Sequence, residues 1–308
     1  MPQPKSQPQP QAGIVPEPSE NALFLILRVP DPEKSGAEVA RAASQIPALT
    51  AKLAKSAPRA RLTSVVGFGP EFWDAVSPGK RPQALRPFPA IAPATGGDLL
   101  VHILSRRPDL CFELAMQVRK KLGGAALVME EVHGFQYLDS RDLTGFIDGT
   151  ENPKGKKRGA EGLIGNEDPD FAGGSFAFTQ RYVHDLEKWE GLSLREQEKV
   201  IGRRKRDSRE LSDRAKPPTA HIARVVIEED GEELEIVRHS FPYGTTSECG
   251  LFFIAYTRDL DIPAKMLRRM MGTSGDGLHD RLMEFSRAVS GANFFAPSVR
   301  VLRKLGSR

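Results

Sequence analysis

Asn21-Ala-Leu-Phe-Leu-Ile-Leu-Arg-Val29 is the stretch from which the fold can be read. Its unbroken apolar run, with no polar alternation, describes a strand covered on both faces. The run is far too short to cross a bilayer as a helix. Working outward, Ser35 and Glu38 have the spacing of a capping box. Val39, Ala42, Ala43, Ile46 and Leu49 then recur at helical spacing, and Pro47 is expected to kink or split that helix. Residues 61–68 and 98–104 read as strands. Phe112, Ala115, Met116 and Val118 mark a second helix, and residues 125–138 begin as an apolar strand that turns polar. The order β-α-β-β-α-β is the ferredoxin-like plan.

The second half repeats that order less cleanly. Residues 174–184 alternate through Phe176, Phe178 and Tyr182. Ser193-Leu-Arg-Glu196 is another capping box, opening a helix to about residue 203. Residues 207–219 are polar, carry Pro217-Pro218 and read as a loop. Residues 221–229 and 234–241 read as two strands around a Glu-Asp-Gly-Glu turn. Residues 248–257 form a strongly apolar strand, with helices expected at about 262–271 and 280–289. The fold class is therefore α+β: two related ferredoxin-like domains, residues 21–150 and 151–308, behind an N-terminal tail of residues 1–20. Its first twelve residues, rich in Pro and Gln, are expected to be disordered.

Composition bounds the function. With 44 Lys+Arg against 40 Asp+Glu, the net charge of +4 is too small to imply nucleic acid. The basic runs Lys156-Lys157-Arg158 and Arg203-Arg204-Lys205-Arg206 sit among acids and polar residues and read as solvated loop surface. Cys111 and Cys249 are far apart and form no CxxC pair. They exclude a multi-cysteine zinc or iron–sulfur site, and read as buried free thiols in a reducing compartment. The first twenty residues lack the apolar core of a signal peptide, so a cytoplasmic protein with no membrane partner is expected.

Three stretches could carry chemistry. Gly145-Phe-Ile-Asp148-Gly149-Thr150-Glu-Asn-Pro153 places an acid between two glycines at the domain junction. Glycine permits backbone angles other residues avoid and lets a ligand approach, although Asp-Gly and Asn-Pro also make ordinary turns. Thr219-Ala-His221-Ile-Ala-Arg224 follows the Pro-rich loop. His221 has no partner at a familiar zinc spacing, and a lone histidine is more often structural than a ligand. Val237-Arg238-His-Ser240-Phe-Pro-Tyr-Gly244 puts Arg238 and Ser240 on one face of a strand, a pairing suited to a small anionic or peroxidic ligand.

Together these stretches resemble the dye-decolourising peroxidases, specifically the bacterial class B type, whose fold belongs with the dimeric α/β barrels. The resemblance runs from Gln11-Ala-Gly-Ile-Val-Pro-Glu17 to Phe294-Phe-Ala-Pro-Ser298. Its most specific piece is the G-x-x-D-G-T-E-N-P signature at residues 145–153. Ser240, two places after the arginine, puts the chain in the Ser-bearing subgroup.

The resemblance implies one haem b per chain, with His221 as the axial ligand of its iron. Asp280 or Glu284 would be the carboxylate behind that imidazole. It implies Asp148 as the acid that moves a proton on peroxide, Arg238 as the stabiliser of developing negative charge, and Ser240 as a hydrogen-bonding partner. Gly149 and Thr150 would border the haem, and Arg224, from its position on the expected strand, would reach a propionate. Hydrogen peroxide and small organic reductants would be the substrates. Bulky donors would be oxidised at the haem edge or through Trp73, Trp189, Tyr137, Tyr182, Tyr243 or Tyr256. A homo-oligomer is expected, as is an acidic activity optimum. Loading into an encapsulin shell is not expected, because only ten residues follow Ser298. The competing readings are a haem or porphyrin carrier with incidental peroxidase activity, and a non-haem protein on the same fold.

Overall fold

A computed structural model describes residues 8–77 and 79–307. In the first half, β1 (Asn21–Arg28) leads through α1 (Pro32–Ser44) and α2 (Ile46–Ser56) to β2 (Thr63–Phe68) and α3 (Pro70–Val76). Then β3 (Leu99–Ser105), α4 (Pro108–Leu122) and β4 (Leu127–Phe135) complete an antiparallel sheet in the order β4-β1-β3-β2. β1 lies at its centre, with Leu25 opposite both Val101 and Glu131. This explains the unbroken apolar run: Leu23, Leu25 and Leu27 face the helices, while Ala22, Phe24 and Ile26 face the other way into a second core.

The second half follows α5 (Lys156–Gly162) with β5 (Ser175–His184), α6 (Leu186–Glu190), α7 (Leu194–Ile201) and α8 (His221–Val225). A small hairpin, β6 (Glu228–Glu229) and β7 (Glu232–Glu233), precedes β8 (Val237–Arg238), β9 (Phe241–Gly244) and β10 (Cys249–Thr257). The chain ends with α9 (Asp261–Met270), β11 (Ser286–Ala288), β12 (Ala292–Ala296) and α10 (Val299–Leu305). Here the order is β12-β5-β10-β9, the same permutation as in the first half.

The two sheets close on each other. Each seam is a single residue pair, Phe295 beside Phe68 and Tyr243 beside Gly134. Glycine permits both approaches: a Cβ on Gly134 would lie 2.5 Å from Phe241 Cβ, and one on Gly67 would lie 2.9 Å from Phe294 Cβ. The barrel interior holds Phe24, Phe252 and Tyr256 with His102 and His239, all buried.

The structure corrects several expectations. Asp31, not Ser35, caps α1, its side chain accepting from Lys34 N. The helix breaks at Gln45, and Pro47 lies in the first turn of α2, where its missing N–H costs nothing. Residues 221–225 are helical rather than extended: five apolar-leaning residues are too few to show a period, and docking on α9 decides between the two. Residues 280–289 form a short 3-10 turn, Arg281–Glu284, and then strand β11. That strand covers the edge of β5, pairing Ser286 with His184. Of the expected tail, residues 1–7 lie outside the described residues, but Gln11 and Ile14 are buried. Cys249 is half-buried rather than buried, and neither cysteine is disulfide-bonded. Among the described residues no helix is long and apolar enough to cross a membrane.

Candidate active site

A cavity of about 1500 Å³, solvent at its mouth included, opens between the outer face of the second sheet and α8 and α9. β5 contributes Phe178, Gln180, Tyr182 and His184, and β10 contributes Leu251 and Phe253. α9 adds Pro263, Met266, Leu267 and Met270.

His221 opens α8 and lines this cavity. Its Nδ1–H donates to Asp280 Oδ2 at 2.6 Å, and Asp280 is fully buried. Asp280 Oδ1 accepts from Leu282 N at 2.9 Å, so the turn after α9 aims the carboxylate. Glu284 is engaged elsewhere, accepting from His279. The choice left open in the sequence thus falls to Asp280. With Nδ1 occupied, Nε2 is the nitrogen left to bind a metal, and the carboxylate makes it a stronger donor.

The signature loop forms another wall. Gly145 has φ +85° and lies against Lys205, whose Cε would stand 2.5 Å from a Cβ. Gly149 has φ +74° and open space beside it. Trp189 Nε1 donates to Thr144 O at 2.9 Å and stacks edge-on against Phe146, pinning the loop. Phe146, Asp148, Gly149 and Thr150 all line the cavity. At the base of the loop, Asp142 meets His184 Nε2 at 3.1 Å. Burial alone would raise the Asp142 carboxyl, but His184 and the Thr144 donors outweigh it and hold the group below its ordinary value.

Arg238 and Ser240 project into the same cavity. β8 and β9 run along β10 in one register, with Arg238 opposite Ala255 and Phe241 opposite Phe252. Residues 238 and 240 therefore share the face of Phe253 and Leu251. Arg238 Nη1 stands 3.8 Å from Asp148 Oδ1. Ser240 Oγ accepts from Ile254 N at 3.3 Å, leaving its hydroxyl proton available. A second cavity, lined by Arg141, Asn152 and Arg158, reaches the same Asp148, Arg238 and Ser240, which form the partition between the two.

Arg224 does not join them. It is buried, it is absent from the cavity wall, and its guanidinium is held by Arg269 O, Ser274 Oγ, Leu278 O and Asp276. Residues 221–225 form a helical turn instead of the expected strand, and Arg224 turns away from the cavity. The arginine that sequence reasoning missed is Arg203. It lines the cavity, only 12% exposed, and pairs with Glu151 at 2.9 Å. It sits in a basic run read as solvated surface. Lys205 departs from that reading too, donating to Gln197 Oε1 at 2.8 Å.

The residues fit a haem. A single imidazole cannot hold iron by itself, and a macrocycle supplies the remaining in-plane ligands. The walls are largely apolar. Gln180 Nε2, buried on the cavity wall, has no partner among the described residues and is suited to a bound group.

Comparisons with known proteins agree. The family description "Dyp-type peroxidase, N-terminal" matches residues 11–136, and "Dyp-type peroxidase, C-terminal" matches residues 139–301. A dye-decolorizing peroxidase of Mycolicibacterium paratuberculosis is 44% identical over 97% of this chain and 86% of its own length. A variant of DypB from Rhodococcus jostii RHA1, solved in complex with heme, superposes with a TM-score of 0.92 at 42% identity, covering 97% of this chain and 100% of that one. The encapsulated DyP-type peroxidase from Mycobacterium smegmatis superposes with a TM-score of 0.92 at 40% identity, covering 96% and 97%. The two halves with their shared strand order, the cavity between sheet and helices, and these matches along almost the whole chain lead to one conclusion: the chain belongs to the Dyp-type peroxidase family and is a haem peroxidase.

Proposed function

We propose that His221 holds the haem iron, that Asp148 moves the proton of hydrogen peroxide, and that Arg238 and Ser240 bind the peroxide oxygens. The convergence of Asp148, Arg238 and Ser240 on one partition of the His221 cavity carries this reading. The haem, when bound, supplies an iron that takes peroxide and passes oxidising equivalents to reductants. Asp148 accepts a proton from peroxide and returns it to the oxygen that leaves as water, base first and then acid. Arg238, permanently charged, favours the anionic form of peroxide and the charge that develops as the O–O bond breaks. Ser240 donates its hydroxyl proton to the same oxygens. Asp280 fixes the His221 ring and keeps Nδ1 protonated. Arg203 and Arg238 are the arginines on the cavity wall, and Arg203, at the Glu151 side, takes the propionate role expected of Arg224.

The second cavity reaches Asp148, Arg238 and Ser240 and offers peroxide a way in, and small organic one-electron donors approach through the main one. The likeness to DypB supports the class B placement. We further propose a cytoplasmic homo-oligomer. The encapsulated relative removes support for the expectation that this chain stays outside a shell, and co-expression with a shell protein decides it.

The distal groups separate a peroxidase from a haem carrier, which needs neither acid nor arginine beside the iron. Asp148→Asn and Arg238→Leu are expected to keep their Soret band and to lose roughly 10²- to 10⁴-fold in the rate of peroxide cleavage. Full rates in both variants would refute the mechanism. His221→Ala is expected to lose or badly alter the Soret band.

A further inference from the structure

The structure points to Asn152 as a positioning residue that holds Arg238 in place through its backbone, an inference that rests on the role proposed above for Arg238. β8, two residues long, is the last strand of its sheet: β10 covers one side, and no strand covers the other among the described residues. His239 N–H donates to Ile254 O on the β10 side. The N–H and C=O of Arg238 point outward, where an edge strand leaves its polar groups unpaired. Asn152 meets both. Its Nδ2 donates to Arg238 O at 2.7 Å, and its Oδ1 accepts from Arg238 N at 2.8 Å. One side-chain amide thus does what a neighbouring strand would do.

The consequence lies in where Asn152 sits. It is four residues after Asp148, and its own N–H donates to Gly149 O at 3.2 Å, closing a tight turn. The acid and the arginine come from segments about ninety residues apart in sequence. The route Asp148–turn–Asn152–Arg238 is a direct tie between them, and it sets the 3.8 Å spacing of Oδ1 and Nη1. Only an amide can serve here. A carboxylate accepts from the N–H but cannot donate to the C=O, and an apolar side chain does neither. Asn152 also lines the second cavity. There its polar atoms are committed to the Arg238 peptide, which argues for support of that arginine rather than direct contact with peroxide.

The test uses the haem-loaded protein and two readouts other than turnover. One is hydrogen–deuterium exchange at the Arg238 amide. The other is the affinity of the ferric haem for cyanide, read from the Soret shift, because cyanide binds as an anion where Arg238 acts. Asn152→Ala should bind haem normally, exchange the Arg238 amide at least tenfold faster, and bind cyanide about tenfold more weakly. Asn152→Asp, which keeps one of the two bonds, should fall between. In an Arg238→Leu background, Asn152→Ala should weaken cyanide no further, since both changes remove one interaction. The inference is overturned if the Arg238 amide stays as protected in Asn152→Ala as in the parent, or if the cyanide losses simply add. If Arg238→Leu alone leaves cyanide affinity unchanged, the role given to Arg238 fails, and amide exchange still decides whether the clamp exists.

Discussion

At the scale of single residues, the pair His221–Asp280 shows how far one buried hydrogen bond reaches. Asp280 is sealed from solvent and spends one oxygen on the imidazole and the other on Leu282 N. Asp280→Asn keeps the shape but weakens the push on the ring. The reduction potential of the haem should rise, and activity or haem retention should fall roughly 10- to 100-fold. Spectroelectrochemistry checks it, and an unmoved potential would remove Asp280 from the argument. The aromatic candidates for carrying oxidising equivalents separate at the same scale. Trp73, Trp189, Tyr182, Tyr243 and Tyr256 are buried. Tyr137 is half-exposed and lines the second cavity. Of single Phe substitutions at these six positions, Tyr137→Phe should slow a bulky dye most while leaving a small phenol unchanged. Equal dye rates in all six would exclude residue-mediated oxidation.

At the scale of elements, the signature loop is a turn held by its neighbours. Arg141 Nη1 donates to Gly145 O and Lys205 O at 2.7 and 2.8 Å, and Trp189 holds Thr144 O. Its two glycines respond differently to a methyl group. At Gly149 there is space, so alanine carries only the left-handed backbone cost of about 1–2 kcal/mol. At Gly145 the methyl also meets the Lys205 side chain. Gly145→Ala should therefore destabilise the protein more than Gly149→Ala, and a comparison of thermal midpoints checks the order. The loop's acid was legible in the sequence because Asp-Gly beside a second glycine is a local pattern. Arg203 was not, since its neighbours in sequence are charged and only the fold brings it under the cavity.

At the scale of the whole molecule, the barrel is tied where its halves meet. Gln11 Nε2 donates to Val66 O and Pro297 O, and its Oε1 accepts from Val66 N, all within 2.9 Å. Gln11→Ala leaves these buried groups without partners at a cost of about 1–3 kcal/mol. The thermal midpoint should fall, while the Soret band of the loaded protein stays unchanged. The barrel interior also sets a pH limit. Burial, with the Arg158 charge second, lowers His239 to about 4 against the partial opposition of its bond to Ile14 O. His102 is lowered well below its ordinary value by burial and by His239. Both stay neutral in the fold and take protons in the unfolded chain below about 6.5. Stability from these groups is present above that pH and is lost as pH falls toward the folded values. Urea titrations at pH 7 and 4.5 should show the loss, and His239→Gln should reduce it. An acidic activity optimum, if found, would therefore sit on the falling side of the stability curve.

The unbroken apolar run along residues 21–29, the helix cap at Ser193 and the order of strands and helices in the first half are local properties, and the sequence by itself determined them. Asp148 and Arg238 could be named as candidates because each stands in a short local stretch, and the stretches together resemble one family. Only the tertiary structure decided between Asp280 and Glu284, turned Arg224 away, brought Arg203 in, and set Asn152 against the peptide of Arg238. Each of those outcomes depends on distances between segments far apart in the chain. Such distances follow from how the two sheets close and how α8 docks on α9, which no local pattern of residues encodes.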